Sequence, residues 1–585
     1  MILAAARTPE GYDVQPLDAS GRPLAAPRTL TVDRLIRMAR HPDYASALWV
    51  FDRVRYPAVE LRLAGLSLPR AHDLWLTRRI LRNSPLVQPS DYTRALRSQS
   101  EPPLAADPED RPWMTEEQAS QETLFEGFGG QSGHRFPGLP HALARGHNRP
   151  VAQTLAEVVA EFQAQTAAVA ASSDPRRLGL LVRAESAGGL VAADLEVDGL
   201  PWDRAEHERL LTERLGPRVP EGVRPRELEG VRPRELERRA QEIESLLGVG
   251  KVNPDSPADV LRALKRAGFQ VSSTRKWELR PLQDNPAIAA ILQYKKLARL
   301  ATTNGWHWLD TWVHGGRLRS EYVPGGVPSG RWVSLGGGLM QLPRELRATV
   351  RAEPGRKLVV ADVSQLEPRV LAAMSRDTAL AEAARGHDLY QAIADDAFEG
   401  RRDHAKIAVL GAMYGATTGE AGAYVPVLTR AYPRAVALVE EAARRGEQGL
   451  AVQSFLGRGT PVDGLSEREA ESLDPLPRER QDASAARAYG RFARNFAVQS
   501  SAAEWALCWL GTLRTRLRQE FPGTAELVYF LHDEVILHAD DDAVPRALAL
   551  VQEAADQATR TLFGEIPVDF PLTAAAVQVY AETKE

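Results

Sequence analysis

A short apolar run that stops at an acid constrains this chain most. Lys357-Leu-Val-Val-Ala361 predicts a buried strand, and the next residue is Asp362, the first of Asp-Val-Ser-Gln-Leu-Glu-Pro-Arg369. A second stretch, Arg402 to Gly415, places Arg402, Lys406, Leu410 and Tyr414 four residues apart. On a helix those four form one slowly drifting stripe. Far downstream, Glu526-Leu-Val-Tyr-Phe-Leu and Val535-Ile-Leu-His538 flank His532-Asp533-Glu534. Two apolar runs around a short acidic turn predict a hairpin with its carboxylates at the tip.

An acid ending a core strand and an acid at a hairpin tip can converge on one spot. Two such carboxylates can hold two hard cations a few ångströms apart, which suits an in-line phosphoryl displacement. The helical stripe supplies the counterpart. Arg402 and Lys406 can grip a triphosphate, with Lys406 placed to protonate the leaving pyrophosphate, and Tyr414 offers a ring for a base to stack on. Metal carboxylates, phosphate cations and a stacking ring together describe nucleotidyl transfer.

These stretches resemble motifs A, B and C of the family A DNA polymerases, the DNA polymerase I type. Three motifs in the right order are a specific signal where one alone is weak. The resemblance covers roughly the last two thirds of the chain, and the size and opening residues are most similar to a short branch found in actinobacteria. It implies an α/β multi-domain fold: a right hand of palm, fingers and thumb, preceded by a degenerate RNase H-like 3′–5′ exonuclease domain. The expected domains are 1–185 exonuclease-like, 186–305 thumb, 306–385 and 495–585 palm, and 386–494 fingers.

The resemblance also implies roles. Asp362, Asp533 and the Val363 carbonyl would bind two Mg²⁺, with Glu534 supporting the site from beside it. Arg402, Lys406, Leu410, Tyr414, Gln365, Tyr390 and Arg491 would contact the incoming nucleotide. Glu367, five residues after Asp362, takes the position of the gate against a ribose 2′-hydroxyl. Arg331, Asn495, Gln499 and His532 would touch the primer–template. Ser329-Gly330-Arg331 resembles the family's Thr-Gly-Arg element, Gln341-Leu-Pro343 its Asn-Ile-Pro, and Ser454-Phe-Leu-Gly-Arg458 a recurring fingers element. Two positions depart from the pattern: the family usually has His where Tyr390 stands and an aromatic residue where Leu410 stands. The implied partners are primer–template DNA and deoxynucleoside triphosphates, and a monomer is expected.

The formal charge of −4 does not announce a nucleic-acid binder. An acidic active site can mask a basic groove. The single cysteine, Cys508, excludes a disulfide within the chain and is expected buried and inert. No apolar run approaches a membrane span and no signal peptide opens the sequence, so a cytoplasmic protein is expected.

The N-terminal stretch reads as α/β. Ile2–Ala6, Tyr12–Asp18 and Ala47–Phe51 predict strands; Val32–Ala39 and Ala71–Leu81 predict helices. A long mobile connection is expected near 84–150, where His134, His141 and His147 read as solvated loop residues rather than a metal site. The acidic pair Asp194-Leu-Glu196 is expected on an exposed face at the start of the thumb. Glu221–Leu228 recurs as Glu229–Leu236, which reads as an insertion in the thumb. Ser272 to Lys276 resembles the thumb turn that grips a duplex backbone.

No Asp-x-Glu lies on the first strands, and Asp73 alone resembles the middle acid of an exonuclease, so no editing activity is expected. Two rival readings stand beside the polymerase. A single-subunit RNA polymerase is disfavoured by Glu367. An inactive paralogue that only binds primer–template junctions is disfavoured by the presence of both metal acids, the lysine and the tyrosine.

Overall fold

The computed structural model describes residues 1–98, 153–218, 232–335, 338–416, 419–461 and 478–583. Most of the expected connection with its three histidines, most of the tandem repeat, and Gly336 and Gly337 lie outside the described residues.

The chain starts with a five-stranded sheet ordered β3-β2-β1-β4-β5, built from β1 (Ile2–Thr8), β2 (Gly11–Leu17), β3 (Arg28–Leu30), β4 (Leu48–Phe51) and β5 (Arg70–Asp73). β1 pairs antiparallel with β2 and parallel with β4. Helices α1 (Val32–Arg40), α2 (Arg55–Leu63), α3 (Leu74–Asn83) and α4 (Asp91–Ser98) intervene or follow. The expected helix over Ala71–Leu81 is corrected here. Its first three residues belong to β5, and Asp73 both ends that strand and caps α3, accepting from the Leu76 amide at 2.9 Å.

Next come α5 (Leu155–Ala170) and α6 (Pro175–Asp198), then β6 (Leu200–Pro201) and α7 (Arg204–Leu215). α6 is one unbroken helix across the expected 185/186 boundary, and much of it is buried. The expectation of an exposed acidic face on it is overturned. Glu196 is 3% exposed and ion-paired with Arg55 at 2.7 Å, while Asp194 pairs with Arg514 at 2.7 Å. Burial raises the Glu196 pKa, and Arg55, which also pairs with Glu321, opposes that rise. These arginines come from segments far away in sequence, which is why a local reading places the acids outside. The same contacts weld the N-terminal sheet to the rest of the molecule, and Arg514 also donates to the Leu68 carbonyl at 2.9 Å.

A helical segment follows: α8 (Arg234–Leu247), α9 (Pro257–Arg266), α10 (Lys276–Leu279), α11 (Pro286–Asn304) and α12 (Trp306–Trp312). The small strands β7 (Val313–His314), β8 (Arg317–Leu318), β9 (Glu321–Val323) and β10 (Val333–Leu335) lead to β11 (Arg356–Val363). After it run α13 (Leu366–Ser375), α14 (Thr378–Ala383), α15 (Leu389–Ala397), α16 (Arg402–Tyr414), α17 (Gly419–Ala431) and α18 (Pro433–Glu447).

α19 (Arg478–Glu520) has 43 residues, so at 1.5 Å per residue it is about 64 Å long. It crosses the expected fingers–palm boundary at 494/495 and packs its two ends on different bodies. α18 lies along its first half, whereas Trp505 stacks on Phe570 at 5.3 Å further on. Cys508 is buried on this helix, and burial pushes its thiol up to about 12. The chain closes with β12 (Ala525–Leu531), β13 (Glu534–Asp540), α20 (Val544–Phe563) and β14 (Leu572–Val577). A four-stranded antiparallel sheet, β12-β13-β11-β14, carries the site described next.

Candidate active site

The acidic strand end and the hairpin tip do meet. β11 and β13 pair so that Asp362 stands opposite Glu534, and the Val363 amide donates to the Asp533 carbonyl at 2.9 Å. Only His532 and Asp533 separate β12 from β13, with His532 in the left-handed region at φ 55°. Two-residue hairpin loops favour such a conformation because it matches strand twist. Asp362 and Asp533 are half-buried, whereas Glu534 is 3% exposed. Glu534 lies beside the buried Tyr580, whose phenol is pushed upward by burial and then by that carboxylate.

Among the described residues no group of three or more His, Cys, Asp or Glu side chains could hold a metal. Asp362, Asp533 and the Val363 carbonyl nevertheless fit Mg²⁺. The ion takes hard oxygen donors, and one or two carboxylates suffice when water and substrate phosphates complete its shell.

The corner after β11 is held from inside. Gln365 adopts a left-handed conformation at φ 57° at the position preceding α13, without a side-chain capping bond. The Arg369 guanidinium, fully buried, donates to the carbonyls of Ser364, Ala384, Asp569, Gly386 and His387 at 2.8–2.9 Å. Burial lowers its pKa to about 10, still far above neutrality. One cation therefore ties β11, the α14–α15 connection and the segment before β14 to the same point.

Helix α16 presents the predicted stripe. Arg402 and Leu410 are half-buried, Lys406 is exposed and Tyr414 is 46% exposed. Arg402 is held by Asp388, Nε to Oδ2 at 2.7 Å, and its guanidinium lies 5.6 Å from the centre of the Tyr390 ring. Tyr390 is 7% exposed, burial raises its phenol to about 12, and its ring offers the Arg402 guanidinium a cation–π contact. The Gln365 amide is engaged at both ends. It donates to Asp388 at 2.9 Å and accepts from the Leu389 amide at 2.8 Å, which makes it a brace between α13 and α15.

Glu367 joins three of the expected positions. One carboxylate oxygen is ion-paired with Arg331, and the other accepts from the Tyr414 hydroxyl at 3.1 Å. Burial lowers the Arg331 pKa.

On α19, Arg491, Asn495 and Gln499 recur at four-residue spacing and share a face. Arg491 is exposed, Gln499 half-buried and Asn495 8% exposed. A Cβ built on Gly415, just past α16, would lie 3.6 Å from Arg491 Cγ, so this face adjoins the end of the stripe. Sequence reasoning missed Arg494, which donates to the Ala412 carbonyl at 3.0 Å and pairs with Glu440 at 2.8 Å. A cation at the last turn of α16 satisfies an end carbonyl and the helix dipole.

Also missed were Asp388 and the buried pair of Glu185 with Arg458. Arg458 packs against Gly330, which has φ 84°, and a Cβ there would lie 2.6 Å from Arg458 Nε. Only glycine fits both the backbone and the contact. The Gly-Arg in Ser454-Phe-Leu-Gly-Arg458 was the available signal, but its partner 273 residues earlier was not readable.

The sequence profile of DNA polymerase family A matches residues 226–577. Among curated proteins, DNA polymerase I of Chloroflexus aurantiacus is 26% identical over 410 residues, covering 65% of this chain and 41% of that protein. The thermostable DNA polymerase I of Thermus filiformis is 29% identical over 319 residues, covering 49% and 35%. DNA polymerase I of Deinococcus radiodurans is 27% identical over 313 residues, covering 48% and 31%. The matches therefore span less than half the length of these relatives. A solved structure, the POL domain of Pol1 from M. smegmatis in complex with DNA primer-template and dNTP, superposes with a TM-score of 0.65 at 17% identity. That superposition covers 100% of this chain and 96% of that one, and it shows a shared fold.

Proposed function

We propose that this chain, which belongs to DNA polymerase family A, is a template-directed DNA polymerase that adds deoxynucleotides to a primer 3′-end in repair or replication. One observation carries the reading: Asp362 and the Asp533 hairpin tip share one strand register, and Glu367, five residues after Asp362, is in direct contact with Arg331 and the Tyr414 end of α16. Its partners are primer–template DNA and deoxynucleoside triphosphates, and it acts as a monomer. Extension of a 5′-labelled primer on an undamaged template is the test; a protein that binds the junction and never extends it contradicts the reading.

Asp362, Asp533 and the Val363 carbonyl would hold two Mg²⁺, which supply an activated primer 3′-hydroxyl and charge neutralisation on the triphosphate. Arg402 binds phosphate oxygens after leaving Asp388, so nucleotide binding trades one carboxylate partner for a more highly charged one. Lys406 protonates the departing pyrophosphate. Tyr414 stacks on the new base pair, with Leu410 beside the sugar. Arg491, Asn495 and Gln499 line the approach from α19, and His532 meets the primer end. Closure of α16 onto a correct pair assembles these groups.

Glu367 selects the sugar. Glu367→Ala is expected to raise ribonucleotide incorporation relative to deoxynucleotide incorporation by about tenfold or more, read as the ratio of kcat/KM values. Unchanged discrimination removes Glu367 from the gate.

The N-terminal sheet serves as a degenerate exonuclease-like scaffold without editing. β1 carries no acid, and Asp73 is 2% exposed, accepting from the amides of Leu76 and Val54 at 2.9 and 2.8 Å. Burial pushes its carboxyl up to about 7, which opposes metal binding. Nearby, Arg78 ties up both Asp52 and Glu161. Purified protein with Mg²⁺ and no nucleotides is expected to leave a 3′-recessed or single strand intact. Shortening that persists in Asp533→Ala and disappears in Asp73→Asn, which keeps the helix cap, contradicts this.

A further inference from the structure

A carboxylate makes a poor gate against a hydroxyl if it stands alone. A ribose 2′-hydroxyl is a donor, and an unengaged carboxylate beside it would accept a charge-assisted hydrogen bond and so attract the wrong sugar. Glu367 is not unengaged. Arg331 holds one oxygen and the Tyr414 hydroxyl holds the other, at 3.1 Å. The Glu367 side chain is 13% exposed and Arg331 29%, whereas Tyr414 is 46% exposed, so the Arg331 contact is the better shielded from water of the two.

Arg331 is itself held in place. It follows Gly330, whose left-handed backbone leaves space for Arg458, and Arg458 is fixed by the buried Glu185.

We infer that Arg331 is a positioning residue for sugar selection: by occupying one oxygen of Glu367 it converts an acceptor that would welcome a 2′-hydroxyl into a wall that rejects it. This rests on the polymerase reading above. It adds to the primer contact expected of Arg331, and it couples the two. A primer end that draws on the guanidinium loosens its hold on the gate, so discrimination between sugars depends on how the primer terminus is seated.

The test is a double-mutant cycle in single-nucleotide kinetics, with matched deoxy- and ribonucleoside triphosphates. Arg331→Ala is expected to lower the deoxy/ribo ratio of kcat/KM by about tenfold, as Glu367→Ala does, and the double variant is expected to fall no further than the lower single. Arg331→Lys, which keeps one charged donor, is expected to recover part of the ratio. Tyr414→Phe removes the other donor and is expected to shift the ratio in the same direction. If Arg331→Ala slows both sugars equally, or if the two losses add, Arg331 serves only the primer and the inference falls. A parent protein that incorporates neither sugar contradicts the functional reading instead, so the two failures are distinguishable. Should Arg331→Ala not fold, Arg331→Gln and Arg331→Lys carry the same comparison.

Discussion

Asp533→Ala is expected to reduce nucleotide incorporation by at least about 10³-fold while leaving primer–template affinity nearly intact. The magnitude follows from removing one of the two carboxylates proposed to hold the metals, a loss of several kcal/mol of transition-state stabilisation. The fold is expected to survive, because the main-chain hydrogen bonds of this residue remain in the variant. Its carbonyl accepts from Val363 and its amide donates to Leu531. Its side chain is half-buried at a hairpin tip rather than packed in the core. Single-turnover incorporation and a binding isotherm on the same preparation check both halves. Comparable loss of DNA affinity would mean that the hairpin tip positions DNA rather than performs chemistry.

Lys406→Ala is expected to lower kcat by about 10²–10⁴-fold, the usual range for a missing general acid. Lys406 is exposed on α16, so its removal leaves no cavity. Arg402 one turn earlier remains to bind phosphate. The loss is therefore expected in kcat more than in KM. Lys406→Arg keeps the charge but parts with its proton far less readily, and is expected to restore binding without restoring rate. If alanine raises KM and spares kcat, Lys406 is a phosphate clamp and the proton comes from elsewhere.

The parts of the site that were legible in the sequence are those written in local pattern. An apolar run ending at Asp362 gave the strand, two apolar runs around His532-Asp533 gave the hairpin, and a four-residue period gave α16. What was not legible depends on partners distant in sequence. Glu196 reads as a surface acid until Arg55 is beside it, 141 residues away. Gln365 and Tyr390, expected at the nucleotide, also brace Asp388 and lie against Arg402, contacts that no local pattern shows. Arg369 lies inside the quoted motif, but its carbonyl partners reach as far as Asp569. The expected boundary at 494/495 falls where the composition of α19 changes, from arginines to tryptophans, while the backbone continues unbroken.

The central claim is that these groups form one site for templated nucleotide addition. The most direct measurement presents the purified protein, with Mg²⁺ and one nucleotide at a time, with four primer–templates that differ only in the first unpaired template base. The account predicts that the preferred nucleotide changes with the template base in all four cases and that a deoxynucleotide is preferred over its ribo counterpart in each. Addition that ignores the template base, a preference for ribonucleotides, or binding without any addition would contradict it.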